Sequence, residues 1–347
     1  MLDHILGKEY TRRKELEYMS TPLVSVVIPS YNRPESAANA VQNVMEQTYS
    51  PIEIIVVDDH SPEPISEEIS PATENNGKSV RVIRHNENRG ANAARNTGVE
   101  EADGMYIAFL DDDDRWHESK ISKQVEVMEN NPNVGLVYTG RVRADMDGKI
   151  FSSDIPKISG DPTKELLLIN RIGSFSLVLV RKSALDEVGK LDEELPCWQD
   201  TDLFIRISQN YGIGCIEELL TVRFIGAEGQ ITRDFSRKEE GLERFMEKYS
   251  DLAGKYSHRF HRRMISRRYF NVGWCAVRDD IHREGIPYFL RAIRADPTFP
   301  RAYAGLVAAI GGPPAEGLLK LVNNFRSNTP NSKPERVAIQ GGKINIE

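Results

Sequence analysis

The sequence predicts an α/β fold in which a mainly parallel sheet is flanked by helices, followed by a smaller all-α domain. Short apolar segments alternate with helical segments over roughly the first third of the chain, the pattern of a parallel sheet with crossover helices. A polar cluster follows the end of each apolar segment. After Gln230, runs of β-branched residues become rare and apolar residues recur at helical spacing, which predicts the all-α domain.

Four apolar segments predict strands, and the last of them, residues 105–110, has no polar face, which is the pattern of a strand covered on both sides. Open parallel sheets bind ligands in the crevice outside the carboxyl ends of their strands. We therefore expect the loops after these four strands to face one pocket. The four segments are residues 23–28, 52–57, 80–84 and 105–110.

The alternation continues to the end of the predicted α/β domain. Residues 139–160 are expected to be a polar loop region. Helices are predicted at 119–130, 164–170, 182–188 and up to 210, and strands at 134–138, 176–181 and 219–224.

Composition narrows the classes of protein to which the chain can belong. Its 347 residues, 39% of them hydrophobic, suffice for one large domain and one smaller domain. The net charge of −7 argues against a nucleic-acid partner, since such domains are usually basic. No apolar run approaches the ~20 residues of a membrane span. Three widely spaced cysteines indicate a reducing compartment, so we expect a cytoplasmic protein.

Changes of composition along the chain predict four regions. Residues 1–235 are expected to fold without the helices that follow. The regions are a leader helix at 1–20, with a membrane-surface anchor as the alternative, the α/β domain at 21–235, the helical domain at 236–327 and a polar tail at 328–347.

The helical domain contains two features with alternative interpretations. Spacing around Gly273 and Gly285 predicts one tetratricopeptide-type hairpin, which must dock on the α/β domain or on a partner to bury its apolar face. Residues 255–268, here called the basic segment, form either a solvated helix face or a peripheral contact with an anionic membrane.

Four consecutive acids, Asp111 to Asp114, follow directly on the fourth predicted strand. Two like charges ~4 Å apart repel by about 4 kcal/mol at an effective dielectric of 20, so the cluster requires solvent or a cation. Mg²⁺ prefers oxygen ligands and is often held by one or two carboxylates together with substrate phosphates. The alternative is a solvated acidic turn that caps a helix beginning near Trp116.

Five motifs occur in a characteristic order over residues 22–232. They are Val26-Val27-Ile28-Pro29-Ser30-Tyr31-Asn32-Arg33, Val56-Val57-Asp58-Asp59-His60-Ser61, Asn88-Arg89-Gly90 with Ala94-Arg95-Asn96-Thr97-Gly98, the acidic run, and Gln199-Asp200. By these motifs the α/β domain resembles family 2 glycosyltransferases, whose fold is termed GT-A. The resemblance implies an enzyme that takes a sugar from a nucleoside-diphosphate donor.

The resemblance assigns roles by motif position. It places Asp113 nearest a divalent metal, Mg²⁺ or Mn²⁺, with Asp114 orienting the metal ligands, and it makes Asp200 the catalytic base. The structural alternatives are that Pro29 ends a strand, that Tyr31 packs inside the protein and that the aspartates cap helices. Asp202 is the other candidate for the catalytic base. The residues assigned to the nucleotide sugar are Pro29, Tyr31, Arg33, Asp58, Asp59, Arg89, Arg95, Asp111 and Asp112.

Two departures from the family pattern stand in this chain. Gln199 occupies a position where the family usually has glutamate, and a histidine that helps to hold the metal or diphosphate is missing, so Glu228 or no residue serves there.

The resemblance implies inverting transfer of one sugar, from a donor taken to be UDP-linked, to a hydroxyl of a glycan, lipid-linked or protein-linked acceptor. A catalytically silent sugar-nucleotide-binding or scaffold protein is the alternative.

Overall fold

The structure is a computed structural model that describes residues 21–67, 69, 76–145, 147–224, 235–312, 337–340 and 343–346. The predicted leader helix at 1–20 lies outside these residues, as does Glu228. Within the described chain, no helix combines the length and the apolar composition needed to cross a bilayer.

A nine-stranded sheet forms the centre of the α/β part, in the order β3-β2-β1-β4-β8-β6-β9-β5, with β7 paired to β6. The pairs β1–β2, β2–β3, β1–β4 and β6–β9 are parallel, and β8, β5 and β7 run against their neighbours. The mainly parallel sheet is thus confirmed, with an antiparallel part beyond β4. The strands are β1 (Val24–Ser30), β2 (Ile52–Asp58), β3 (Lys78–Arg84), β4 (Tyr106–Phe109), β5 (Asp114–Trp116), β6 (Val134–Ala144), β7 (Ile150–Asp154), β8 (Val178–Arg181) and β9 (Gly212–Phe224).

Ten α-helices accompany the sheet in the described residues. One-turn 3₁₀ helices lie at Ile65–Glu67 and Phe175–Leu177. The α-helices are α1 (Pro34–Met45), α2 (Ala91–Glu100), α3 (Lys120–Asn130), α4 (Thr163–Leu168), α5 (Lys182–Val188), α6 (Gln199–Ser208), α7 (Phe235–Tyr256), α8 (His258–Arg278), α9 (His282–Ala295) and α10 (Pro300–Gly311).

The two faces of the sheet are covered by different helices, because successive strand residues point to opposite sides. Val26 and Ile28 of β1 join one apolar cluster, which includes residues of α1 and α3. Val27 joins the other, which includes residues of α2, α6 and α7. Helix α2 packs closely on β1 because Gly98 has no side chain. A Cβ at this position would lie 2.3 Å from a methyl carbon of Val27.

The C-terminal helices belong to the second of these clusters. Leu242, Phe245 and Tyr249 of α7 and Met264 of α8 are buried in the same core as the sheet residues. The tetratricopeptide-type hairpin also packs on the α/β part, because Val272 and Tyr288 belong to this cluster. Residues 1–235 share their core with the helices that follow, and their folding without these helices stays a prediction.

The basic segment is only partly a solvated helix face. Arg268 is buried and donates hydrogen bonds to the carbonyls of Leu166 (2.9 Å) and Leu167 (3.1 Å) at the end of α4. Arg262 donates to the carbonyl of Ala295 at the end of α9 (2.9 Å). These guanidinium groups satisfy helix-terminal carbonyls, which otherwise lack partners within their helix.

Three local expectations and one alternative are wrong. The alternative placed the start of a helix near Trp116, which instead ends the short strand β5, whereas the helix predicted at 119–130 is confirmed and begins at Lys120. Pro29 does not end the first strand, because it lies within β1 opposite Val57. Strand β7 occupies part of the region expected as a polar loop. In the expected polar tail, β10 (Val337–Gln340) and β11 (Lys343–Ile346) form an antiparallel hairpin.

Candidate active site

The predicted site loops converge because β1 lies between β2 and β4 in parallel register. Ser30 is paired with Asp58, and Val27 with Phe109, so these strands end at the same edge of the sheet. Strand β5 then returns along β9 and places Asp114 opposite Arg223. The acidic run therefore crosses the carboxyl ends of the central strands.

Three of the four acids form a cluster suited to a metal ion. Carboxylate oxygens of Asp111, Asp113 and Asp114 lie within 4.8 Å of one another. Burial and repulsion from Asp111 and Asp112 raise the pKa of Asp113 to about 6. Such an all-oxygen donor set matches the preference of Mg²⁺ and Mn²⁺.

Asp114 provides the sharpest evidence for a cation. Its side chain is buried, and no hydrogen bond of normal geometry reaches either carboxylate oxygen from the described residues, although Ser176 lies close enough to lower its pKa slightly. Burial, then Asp111 and Asp113, raise the pKa of Asp114 well above its usual value. A buried carboxylate without partners is costly, and a bound divalent ion would supply the missing charge.

Asp112 lies outside this three-acid cluster and is held by β1 and its loop. The Ser30 hydroxyl donates to it at 2.7 Å, and Arg33 Nη1 donates at 3.2 Å. Arg33 also lies 3.8 Å from Asp113. Burial raises the pKa of Asp112, and these two donors oppose the shift.

Arg95 orients the first acid of the run. Its guanidinium lies 2.5 Å from Asp111 Oδ1 and 4.6 Å from the ring centre of Phe175. The Asp111 amide in turn donates to the Ser176 hydroxyl at 3.1 Å. In the described structure Arg33 and Arg95 thus offset part of the negative charge of Asp111, Asp112 and Asp113.

Asp58, which the resemblance assigns as a ligand contact, is bound by protein groups in the structure. Its carboxylate is buried and accepts from the Ser61 amide at 2.8 Å, the Ile65 amide at 3.4 Å and Arg84 Nη1 at 2.5 Å. These donors hold its pKa below the usual value against the opposing effect of burial, which is the largest single contribution. Both oxygens thus have protein partners, and contact of Asp58 with a base or ribose stays a prediction.

Asp59 is also used inside the protein. It accepts from the amides of Arg89 (2.9 Å) and Gly90 (2.7 Å), and its oxygen lies 2.8 Å from His85 Nδ1. Gly90 has φ 90°, a conformation that L side chains rarely adopt, so the turn before α2 depends on glycine. Asp59 therefore fixes the Arg89 loop beside the site.

Two assigned nucleotide contacts remain accessible. Tyr31 follows β1 directly and is 48% exposed, so its ring is available for stacking. The Arg89 side chain is 46% exposed and lies 3.5 Å from Glu193.

Asp200 lies in the first turn of α6, after Trp198, which adopts a left-handed conformation with φ 61°. Its carboxylate accepts from the Thr201 amide at 2.6 Å and the Thr201 hydroxyl at 3.1 Å. Burial raises the pKa of Asp200, while Thr201, Lys238 and Arg223 oppose the shift. A raised carboxyl pKa suits a general base.

Asp202, the other candidate for this role, is fully buried and has both oxygens engaged. Arg206 contacts one oxygen, and Lys248 and Tyr249 contact the other. The two acids of this turn therefore differ, since Asp202 is held in a structural network.

Arg223 joins the two parts of the site and was not singled out from the sequence. Its positive charge lowers the pKa of Asp113, Asp114 and Asp200, so it lies within electrostatic reach of both the acidic cluster and the base. The pairing of β5 with β9 is what places Arg223 beside the acidic cluster. Ser30 and Ser176, which contact the Asp112 carboxylate and the Asp111 amide, were also not identified as site residues from the sequence.

Comparisons with known proteins agree with this arrangement. Residues 25–189 match the family model described as glycosyl transferase family 2. An uncharacterised glycosyltransferase of Methanocaldococcus jannaschii is 32% identical over 205 residues, which cover 58% of this chain and 70% of that protein. A UDP-Glc:α-D-GlcNAc-diphosphoundecaprenol β-1,3-glucosyltransferase of Escherichia coli is 33% identical over 120 residues, covering 35% of this chain and 46% of that enzyme.

The fold is also similar to that of a solved structure. The crystal structure of S. aureus TarS matches with a TM-score of 0.57 and 17% identity, over 94% of this chain and 58% of TarS. A shorter form of TarS, residues 1–349, has been solved in complex with UDP-GlcNAc. At this identity the likeness shows the fold, which is of the GT-A type.

Proposed function

The chain belongs to glycosyl transferase family 2, and we propose that it is a metal-dependent, inverting enzyme in which Asp200 is the general base. The donor is a UDP-linked sugar, and the acceptor is a hydroxyl of a glycan or a lipid-linked glycan. The observation that carries this proposal is the buried, unpartnered carboxylate of Asp114 beside Asp111 and Asp113.

The proposed metal ligands are Asp111, Asp113 and Asp114, with Asp113 as the central one. Bound Mg²⁺ or Mn²⁺ would offset the negative charge that develops on the leaving diphosphate. Arg33 and Arg95 already contact these acids and hold them in place. Asp112, fixed by Ser30, would shape the ribose side of the pocket.

Tyr31 and Arg89 are the proposed direct contacts to the nucleotide, because they are the exposed members of the assigned set. The aromatic ring suits a base, and the guanidinium suits a diphosphate. Asp58 and Asp59 act by fixing the loops around them. Pro29 completes the wall of the pocket at the end of β1.

The proposed reaction is a single displacement. The acceptor oxygen attacks the anomeric carbon, the bond from that carbon to the diphosphate breaks, and the acceptor proton passes to Asp200. Attack opposite the leaving group inverts the anomeric configuration. The raised pKa of Asp200 supports this role, because the carboxylate is then a stronger base near neutral pH.

The acceptor class is supported by the E. coli relative, whose name specifies transfer of glucose to GlcNAc on a lipid diphosphate. A sugar hydroxyl on a lipid-linked glycan is the class we propose here. The competing function, a silent sugar-nucleotide-binding scaffold, would not require a general base, which is the role proposed for Asp200.

Calorimetric titration with UDP and with GDP, each with and without Mn²⁺, tests the proposal. We expect UDP to bind more tightly than GDP, and only in the presence of Mn²⁺. UDP release from UDP-glucose or UDP-GlcNAc, with an alkyl-diphosphate-linked GlcNAc as acceptor, then tests transfer. Metal-independent UDP binding would contradict the metal assignment, and tight binding without turnover would favour the scaffold.

A further inference from the structure

Asp202 ties the helix that carries Asp200 to the C-terminal helices. Its Oδ1 lies 2.6 Å from both Lys248 Nζ and the Tyr249 hydroxyl of α7, and its Oδ2 accepts from Arg206 at 2.9 Å. Asp202 is fully buried, so this carboxylate is compensated by protein donors instead of water. Charge-assisted hydrogen bonds of this length are the strong ones.

The network reaches beyond α6 and α7. Lys248 also lies 2.8 Å from Asp192, in the loop that leads to the Asp200 turn. Arg206 donates to the carbonyls of Val188 (2.8 Å) and Gly189 (2.7 Å) at the end of α5. Lys248 is thus the bridge between the loop before α6 and the acid inside it.

The turn before Asp200 is packed against the same helices. The left-handed Trp198 makes an edge contact with Phe245 of α7 at 5.5 Å between ring centres. The Lys238 ammonium lies 4.7 Å from the Trp198 ring, and the buried Arg268 guanidinium of α8 lies 5.1 Å from it. Residues of α7 and α8 therefore contact Trp198, the residue immediately before α6.

We propose that Tyr249 and Lys248 are positioning residues for catalysis, holding α6 through Asp202 so that the Asp200 carboxylate meets the acceptor hydroxyl. This inference rests on the proposed function. Asp200 and Asp202 share one helical turn, so a shift of the helix moves both. Displacement of a reacting group by ~1 Å can cost about 10²-fold in rate. The residues that contact Asp202 are not among those proposed to bind the donor or the metal.

Tyr249→Phe tests the inference, because it removes one hydroxyl and little volume. We expect kcat for UDP release with the GlcNAc acceptor to fall about tenfold or more, with unchanged calorimetric Kd for UDP and Mn²⁺. Tyr288→Phe is the matched control, since its hydroxyl bonds to Glu239 away from Asp202. Equal kcat losses in both variants would overturn the inference.

A double-mutant comparison separates positioning from general stability. If Tyr249 acts through Asp200, then Tyr249→Phe should have little further effect on kcat in an Asp200→Asn background. The same fold-loss in both backgrounds would overturn the inference alone. Full activity of Asp200→Asn by itself would overturn the assignment of the base, and this inference with it.

Lys248→Gln provides a second test if Tyr249→Phe does not fold. The Lys248 side chain is only half-buried, so we expect its substitution to leave the fold intact. We expect the same kcat loss with unchanged UDP affinity, and recovery in Lys248→Arg, which retains the cation. Wild-type kcat in Lys248→Gln, or loss of kcat without recovery in Lys248→Arg, would contradict the role of the charge.

Discussion

At the scale of residues, the acids in and around the site differ in how far other described protein groups offset their negative charge. Asp58, Asp59 and Asp202 have hydrogen-bond or ionic partners for both oxygens, whereas neither oxygen of Asp114 accepts a hydrogen bond of normal geometry from the described residues. The sequence presents all of them as acids near strand or helix ends. Only the hydrogen-bond and ionic partners in the folded protein distinguish an acid that holds a loop from one that is available to bind a ligand.

Asp114→Asn is expected to weaken Mn²⁺-dependent UDP binding at least tenfold, because one carboxylate is lost from a three-acid site. The metal-free protein should unfold at the same or a higher temperature, since repulsion among the acids is relieved. Calorimetry and thermal unfolding measure the two effects.

Asp186→Asn, which removes an exposed acid on α5, is the control for general charge effects. If Asp114→Asn bound UDP and Mn²⁺ like the wild type, Asp114 would not be a metal ligand.

At the scale of elements, the strongly patterned segments were predicted well. Helix α5 has the predicted bounds, and the four apolar segments are the strands β1 to β4. The antiparallel pairing of β5 with β9 was not predicted, because β5 has only three residues and its register depends on a strand about 100 residues away. That pairing brings Arg223 to the acids, so the site could be predicted only in part.

Gly98→Ala is expected to destabilise the protein by about 1–3 kcal/mol, because the new methyl group would overlap Val27 in the packed centre of the sheet. Gly254→Ala is the matched control. That glycine lies within α7 with open space at its Cβ position, so alanine there should stabilise by up to about 1 kcal/mol. Chemical denaturation of both variants measures the difference, and equal effects would refute the close packing of α2.

At the scale of the whole molecule, the helices after Phe235 complete the core of the catalytic part. Arg268 satisfies α4 carbonyls, Tyr249 satisfies Asp202, and Phe245 packs on Trp198. The sequence shows a change of composition at this boundary, which favours two separate domains. Composition does not reveal which apolar faces meet, so the shared core could not be predicted.

A chain that ends before Phe235 is expected to lack cooperative thermal unfolding and to bind a hydrophobic dye. The reason is that removal of α7 and α8 takes Phe245 away from the Trp198 ring and leaves the Asp202 carboxylate with fewer partners. Near-ultraviolet circular dichroism and dye fluorescence measure this. A truncated chain that unfolded cooperatively near the wild-type temperature would instead support the prediction that residues 1–235 fold as an independent domain.

The rate of UDP release as a function of pH, compared between the wild type and Asp200→Asn, tests the central claim most directly. The base acts as the carboxylate, so wild-type kcat should fall as pH drops through the Asp200 pKa, which burial raises above its ordinary value. In Asp200→Asn we expect kcat lower by about 10² to 10⁴, no such acid limb and unchanged affinity for UDP with Mn²⁺. Near-wild-type kcat with the same acid limb in Asp200→Asn would contradict the account.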